Sequence, residues 1–330
     1  MERFALAAAV VLGFALTAAL CSLFVPLRRV LERREQQQPV QSEPPRPAPL
    51  RAPLWGGLCA AAGTVAAVGV GWLAACVGQP ELLGSEGRLM TRLLTALAGS
   101  LAFGAVGFAE DLARMRSPAA LGLRRDVRLL LEALAAAFVL LLLQAAGCLP
   151  RGLDVPGAGY VLLGSAVPFL WAVLMVVLAE CARIAERDEG TVCGAAFVAM
   201  LALMMAEAGL GVPGLAVLPA ALAGALVALL LWAFPPARLG VGCCGSLLAA
   251  GAIGCIPLSL DMTSLTVPLA LPFWAAGGLL AAQLLGAKRT GKPLRCWVKK
   301  HKMSPETVFL CSFALSAVGY VLALALLRWC

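Results

Sequence analysis

The chain has 330 residues, 61% hydrophobic and 13% charged, with 26 Lys and Arg against 18 Asp and Glu and a formal net charge of +8. Soluble domains use about 45–50% apolar and 25% charged residues, so this composition belongs in a bilayer. It excludes a soluble enzyme, a secreted disulfide scaffold and a nucleic-acid-binding domain.

Cutting the sequence at every Asp, Glu, Lys and Arg leaves ten uncharged runs of 17 residues or more, at 4–27, 52–80, 93–109, 133–150, 155–179, 190–206, 208–237, 239–260, 262–287 and 307–327. A helix crosses the hydrocarbon with about 20 residues, so each run holds one span and none comfortably holds two. The expected fold is an all-α, polytopic integral membrane protein with ten transmembrane helices.

In chain order, run 4–27 ends at an Arg-rich stop and has no small-x-small cleavage site, so it reads as a retained span rather than a signal peptide. Residues 28–51 then form a charged connector, rich in proline from Pro39 to Pro49, that reads as extended and solvated. Of the 26 basic residues, 21 fall in the odd-numbered loops and five in the even-numbered loops and termini. The positive-inside rule therefore puts the odd loops in the cytoplasm and both termini outside. The even loops are short, notably Arg151–Asp154 and the turn at Asp261. The twelve cysteines are scattered without a CxxC pair, which reads as reduced, buried thiols.

No acid stands at mid-span, where a transporter would keep one for ion coupling. Glu132, one turn after Arg128, and Glu207 read as solvated or paired helix ends. The acids collect at the cytoplasmic ends instead. Glu110 and Asp111 close the third run in GFAEDLARMRS, and Glu180, Glu186, Asp188 and Glu189 crowd AECARIAERDEG. Carboxylates so placed suit a hard divalent cation; the plain alternative is a solvated acidic loop balanced by Arg183 and Arg187. VGCCGS, from Val241 to Ser246, opens the eighth run with a glycine-rich turn of the kind whose N–H groups bind phosphate, or that simply packs closely in a membrane. The ninth loop, KRTGKPLRCWVKKHKMSPE, holds seven basic residues and the only histidine, His301; it reads as a headgroup contact or as a clamp on a diphosphate.

Taken in order, these segments resemble the polyprenyl-phosphate N-acetylhexosamine-1-phosphate transferases (glycosyltransferase family 4), which include the phospho-N-acetylmuramoyl-pentapeptide transferases. PLWGG at Pro53–Gly57 is similar to the family's PTMGG, GFAED to GFxDD, AECARIAERDEG in spacing to NAVNLTDGLDG, VGCCGS to MGDTGS, and PLRCWVKKHKMSPE to a PLHHHYELKGWPEP-type segment. The resemblance covers nearly all of 1–330 as one transmembrane domain, multi-pass in the plasma membrane with its functional loops cytoplasmic. It implies transfer of a phospho-sugar from a UDP-sugar to polyprenyl (undecaprenyl) phosphate, with Mg²⁺ or, alternatively, Mn²⁺ on the diphosphate.

Carried over residue by residue, the resemblance implies catalytic roles for Asp111, Glu110 and Glu186. It implies metal binding by Glu110, Asp111, Glu186 and Glu189, and substrate binding by Glu180, Arg183, Gly242, Gly245, Ser246, Lys292, Arg295 and Lys299. The apparatus is only partly kept. Glu110 replaces an aspartate, and Glu180 and Arg183 stand where the family has asparagines. Cys243 replaces the aspartate of GDTGS, and Arg295, Cys296 and Trp297 replace three histidines. A neutral thiol is a poor ligand for a hard ion, and losing the imidazoles removes groups that move protons near pH 7. The leading reading is a catalytically impaired paralogue that binds nucleotide-sugar, polyprenyl phosphate or a cell-wall enzyme partner. Alternatives are an active transferase with a rebuilt site, a membrane transporter and, least of all, a thiol site of Cys243, Cys244, Cys296 and His301.

Overall fold

A computed structural model describes residues 2–36, 55–78, 87–116, 122–150, 152–155, 159–162, 164, 166–186, 190–212, 214–235, 237–285 and 304–328. The helices are α1 (Glu2–Gln36), α2 (Gly56–Gly78), α3 (Gly87–Arg116), α4 (Arg125–Ala145), α5 (Ala166–Ala185), α6 (Thr191–Gly209), α7 (Val217–Ala233), α8 (Gly242–Ser259), the short α9 (Thr266–Leu269), α10 (Leu271–Leu285) and α11 (Pro305–Leu327). Each falls on one of the ten uncharged runs, with α9 and α10 sharing 262–287. Seven of the described helices are long and apolar enough to cross a membrane, and α7, with 17 residues, is a shorter apolar helix. Large apolar side chains face outward from several of them, as at Leu130, Leu134 and Phe138 on α4 and Phe169, Val173 and Val177 on α5. Stripes of that size in contact with water would drive aggregation; in lipid they are the solvated face. The chain is an all-α polytopic membrane protein, with one small β-ribbon among the described residues.

The ribbon was not expected. β1 (Gly152–Val155) pairs antiparallel with β2 (Gly159–Leu162), from Gly152 opposite Leu162 to Val155 opposite Gly159. The fifth run therefore begins as a hairpin and turns helical only at Ala166. Pro156 removes a donor that a helix would need, and Val155, Tyr160 and Val161 favour the pleated conformation. The connector also starts later than 28, because α1 continues to Gln36. Leu, Arg, Glu and Gln dominate that stretch and are good helix formers. The Pro-rich stretch 37–54 lies outside the described residues.

α8 is the axis of the molecule. All 18 of its residues are buried, and α2, α3, α5 and α6 pack around it. Its sequence makes this possible, since it holds no charge and alternates Gly, Ala and Cys with Leu and Ile. α3 runs antiparallel to it in close register. A Cβ on Gly104 would lie 3.3 Å from Leu248 Cβ, and one on Gly251 would lie 3.0 Å from Ser100 Cα. Small residues let two backbones approach in a bilayer, where packing rather than water exclusion drives association. α2 closes the opposite side: Gly56 N donates to Gly240 O at 3.2 Å and Gly57 N to Val241 O at 2.9 Å.

A methyl group at Gly57 would run into Gly245 N and lie 2.8 Å from the Cys244 carbonyl carbon, whereas one at Gly69 meets nothing within 4 Å. Gly57→Ala is expected to destabilise the protein by about 1–3 kcal/mol through overpacking. Gly69→Ala, in the same helix, is expected to stabilise it by about 0.5–1 kcal/mol. Unfolding midpoints of the two variants in detergent check this pair.

Candidate functional site

The close approach of α3 and α2 to the first turn of α8 is what builds the site. Gly107, one turn before Asp111, lets α3 lie directly on the Cys243–Cys244 peptide; a Cβ there would run into Cys243 O and stand 2.7 Å from Cys244 N. Asp111, 1% exposed, then reaches the start of α8. Its Oδ1 accepts from Cys243 N at 3.0 Å and its Oδ2 from Cys244 N at 2.9 Å. The first N–H groups of a helix have no partner in the helix and carry the positive end of its dipole, so a carboxylate is the complementary group. α8 has no side-chain cap of its own, since Val241 occupies the N-cap position. Gly242, at φ 71°, takes a backbone conformation that other residues rarely adopt. Ser246 Oγ donates to Cys243 O at 3.1 Å. The residues from Gly242 to Ser246 are all buried. The N–H groups of Cys243 and Cys244, expected to approach phosphate, thus donate to Asp111.

Around this cap the acids are met by arginines. Glu110 is 2% exposed, and its Oε1 accepts from Arg114 Nη2 at 2.7 Å and lies 3.7 Å from Arg128 Nη1. Arg114 Nη1 stands 3.8 Å from Asp111 Oδ1 and 3.9 Å from Glu186 Oε2. Glu180 accepts from Arg128 Nε at 2.7 Å through one oxygen and from Arg183 Nη2 through the other. Arg114, Arg128 and Arg183 thus link Glu110, Asp111, Glu180 and Glu186 across α3, α4 and the end of α5. Pairs this well buried are stabilising only as a set, because removing one member strands a charge.

Glu132 is a second departure from expectation. Its side chain is 0% exposed, and neither carboxylate oxygen has a hydrogen-bond partner among the described residues. It stands one turn along α4 from Arg128, on the helix face turned to the bundle, rather than as a solvated end. Glu207 is likewise buried, at 1% exposure, and its Oε2 has no hydrogen-bond partner among the described residues.

Of the residues singled out from sequence, Glu110, Asp111, Glu180, Arg183, Glu186, Gly242, Gly245 and Ser246 are described and lie at the arginine-rich end of α2, α3, α5 and α8. Glu189, Lys292, Arg295, Lys299, Cys296, Trp297 and His301 lie outside the described residues. Arg114 and Arg128 were not assigned to the site, and Glu132 was read as a solvated or paired helix end. Arg114 follows Glu110 by one helical turn, and Arg128 and Glu132 share a face of α4, so helical spacing was the available signal.

The described donors do not fit a divalent cation. Both Asp111 oxygens hold backbone N–H groups, Glu110 Oε1 faces two guanidinium groups and both Glu180 oxygens accept from arginines, while Glu110 Oε2 is buried with no hydrogen-bond partner among the described residues. Among the described residues no group of three or more His, Cys, Asp or Glu is placed to hold a metal ion.

A buried helix start capped by an acid from another span, inside a polytopic helical membrane protein, is the arrangement in which the sequence motifs converge. Residues 93–261, a little over half of the chain, match the family model of Glycosyl transferase family 4, and the chain belongs to that family. It is 28% identical over 265 residues to the phospho-N-acetylmuramoyl-pentapeptide-transferase of Mycobacterium tuberculosis (strain ATCC 25618 / H37Rv), covering 73% of this chain and 72% of that one. The protein of the same name from Geobacillus kaustophilus is 25% identical over 295 residues, 88% of this chain and 86% of the relative. That from Desulforudis audaxviator is 34% identical over 170 residues, 48% and 50% of the two chains.

Arg128→Met is expected to lower stability by about 3–5 kcal/mol, since it leaves Glu180 and Glu110 short of a buried partner. Arg116→Ala, at an exposed position, is expected to change it by less than about 0.5 kcal/mol. Denaturant unfolding in detergent micelles measures both.

Proposed function

We propose that this chain is a divergent, catalytically impaired member of the family, one that binds a nucleotide-sugar or polyprenyl phosphate without metal-dependent transfer of the phospho-sugar. The observation that carries the reading is how its acids are engaged: both oxygens of Asp111 and of Glu180 and one oxygen of Glu110 already accept from a backbone N–H or an arginine. A carboxylate turned onto arginines and backbone N–H groups is poorly placed to enter the near-octahedral shell that Mg²⁺ demands. Here Asp111 holds the α8 backbone, and Glu110 and Glu180 hold arginines. Cys243 and the Arg295–Trp297 stretch, where the resemblance implies an aspartate and three histidines, support the same reading.

In this proposal ten helices span the plasma membrane with both termini outside, and the arginine-rich end faces the cytoplasm. Lys292, Arg295 and Lys299 of the ninth loop supply cationic contacts to a diphosphate, and a cell-wall enzyme is the proposed partner. An active transferase with a rebuilt site is the second reading. It is favoured by the sharing of Arg114 among Glu110, Asp111 and Glu186, three of the four acids it would need.

The deciding assay supplies radiolabelled UDP-GlcNAc or UDP-MurNAc-pentapeptide and undecaprenyl phosphate to the purified protein with Mg²⁺ or Mn²⁺. We expect no lipid-linked product, an unfolding midpoint raised by donor or lipid, and a midpoint unmoved by Mg²⁺ or by EDTA. Lipid-linked product that is lost in folded Asp111→Asn would overturn the reading in favour of the rebuilt transferase.

A further inference from the structure

α1 and α2 pack antiparallel in a register that can be followed residue by residue. A Cβ on Gly71 would lie 3.0 Å from Ala9 Cβ, one on Gly63 would lie 3.3 Å from Thr17 Cβ, and the rings of Phe24 and Trp55 stack at 5.5 Å with an interplanar angle of 15°. Four residues beyond Thr17 on α1 is Cys21; four before Gly63 on α2 is Cys59. Cys21 therefore faces Cys59, between the Thr17–Gly63 approach and the Phe24–Trp55 stack. The two side chains lie close enough to interact. Both are free thiols, 0% and 2% exposed.

Glycine-lined helix interfaces bring backbones into the separation that a disulfide needs, a Cα–Cα distance of about 4.4–6.8 Å. No third ligand accompanies the pair in an arrangement that would hold a metal ion among the described residues, so oxidation rather than metal binding is the chemistry open to it. We propose that Cys21 and Cys59 form an oxidation-sensitive dithiol site, closed by peroxide into a disulfide that joins α1 to the first turn of α2.

The step balances as two displacements. One thiol, as its thiolate, attacks hydrogen peroxide, breaks the O–O bond and becomes a sulfenic acid while water leaves. The second thiol attacks that sulfur, forms the S–S bond and releases a second water, with its proton going to the departing oxygen. Two thiols are oxidised by two electrons and one peroxide is reduced to two waters. A small uncharged oxidant suits a pair this deeply buried. The bond would close a loop containing 37–54 and anchor α2 two residues beyond Gly57, which seats the start of α8. This inference is independent of the proposed function, since it needs neither substrate nor transfer.

The test uses the full-length protein in lipid nanodiscs. It is reduced, exposed to hydrogen peroxide, quenched, unfolded in detergent with N-ethylmaleimide, digested and read by mass spectrometry. We expect one Cys21–Cys59-linked peptide, joint loss of both maleimide labels, and return of both on treatment with dithiothreitol. The wild-type unfolding midpoint should rise on oxidation and that of Cys59→Ser should not. Full labelling of Cys21 and Cys59 after peroxide has oxidised the exposed Cys311 would overturn the proposal. So would a Cys59–Cys244 linkage in place of Cys21–Cys59. The wild-type labelling stands by itself should Cys59→Ser fail to fold.

Discussion

The structure is organised by one carboxylate. Asp111 ends a span and caps the start of another, and the two hydrogen bonds it accepts join residues 132 and 133 positions apart in the sequence. A helix that begins inside a protein without such a group leaves N–H donors unsatisfied in surroundings where water cannot reach them. The cap accounts for the small residues nearby. Gly107, Gly57 and Gly245 each occupy a place where a side chain would push α3 or α2 away from α8 and lengthen those bonds. The site and the core of this protein are therefore one piece of construction.

Guanidinium groups meet the carboxylates of this site. An arginine carries a permanent charge and planar donors matched to carboxylates, but it cannot exchange with solution or act as a Lewis acid. A site neutralised in this way draws its positive charge from the chain itself. Arg114 is the pivot, because it touches acids from both the α3 and the α5 segments. The cluster draws on α3, α4 and α5, so it also ties together helices that share few other polar contacts.

Much of this was legible in the residues. Uncharged runs marked the helices, and PLWGG, GFAED and VGCCGS meet at one turn because Gly57, Asp111 and Cys243 belong to a single contact. The role of Asp111 was not legible, since nothing local distinguishes an acid that caps a distant helix from one that binds an ion. Glu132 was misread because its neighbour Arg128 implied an ordinary pair, whereas Arg128 turns to Glu180 and Glu110. The β-ribbon escaped because a test for charge cannot tell an apolar strand from an apolar helix. Pro156 and the β-branched residues around it carried that signal.

The separation between Asp111 and α8 also orders events during synthesis. A chain elongates at roughly 5–20 residues per second, so α3 waits on the order of ten seconds for the helix it caps to be made. In that interval Asp111 has no α8 backbone to bind, and of its two eventual kinds of partner only Arg114, on the same helix, is already present. Arg114 is the partner for which Asp111 does not have to wait.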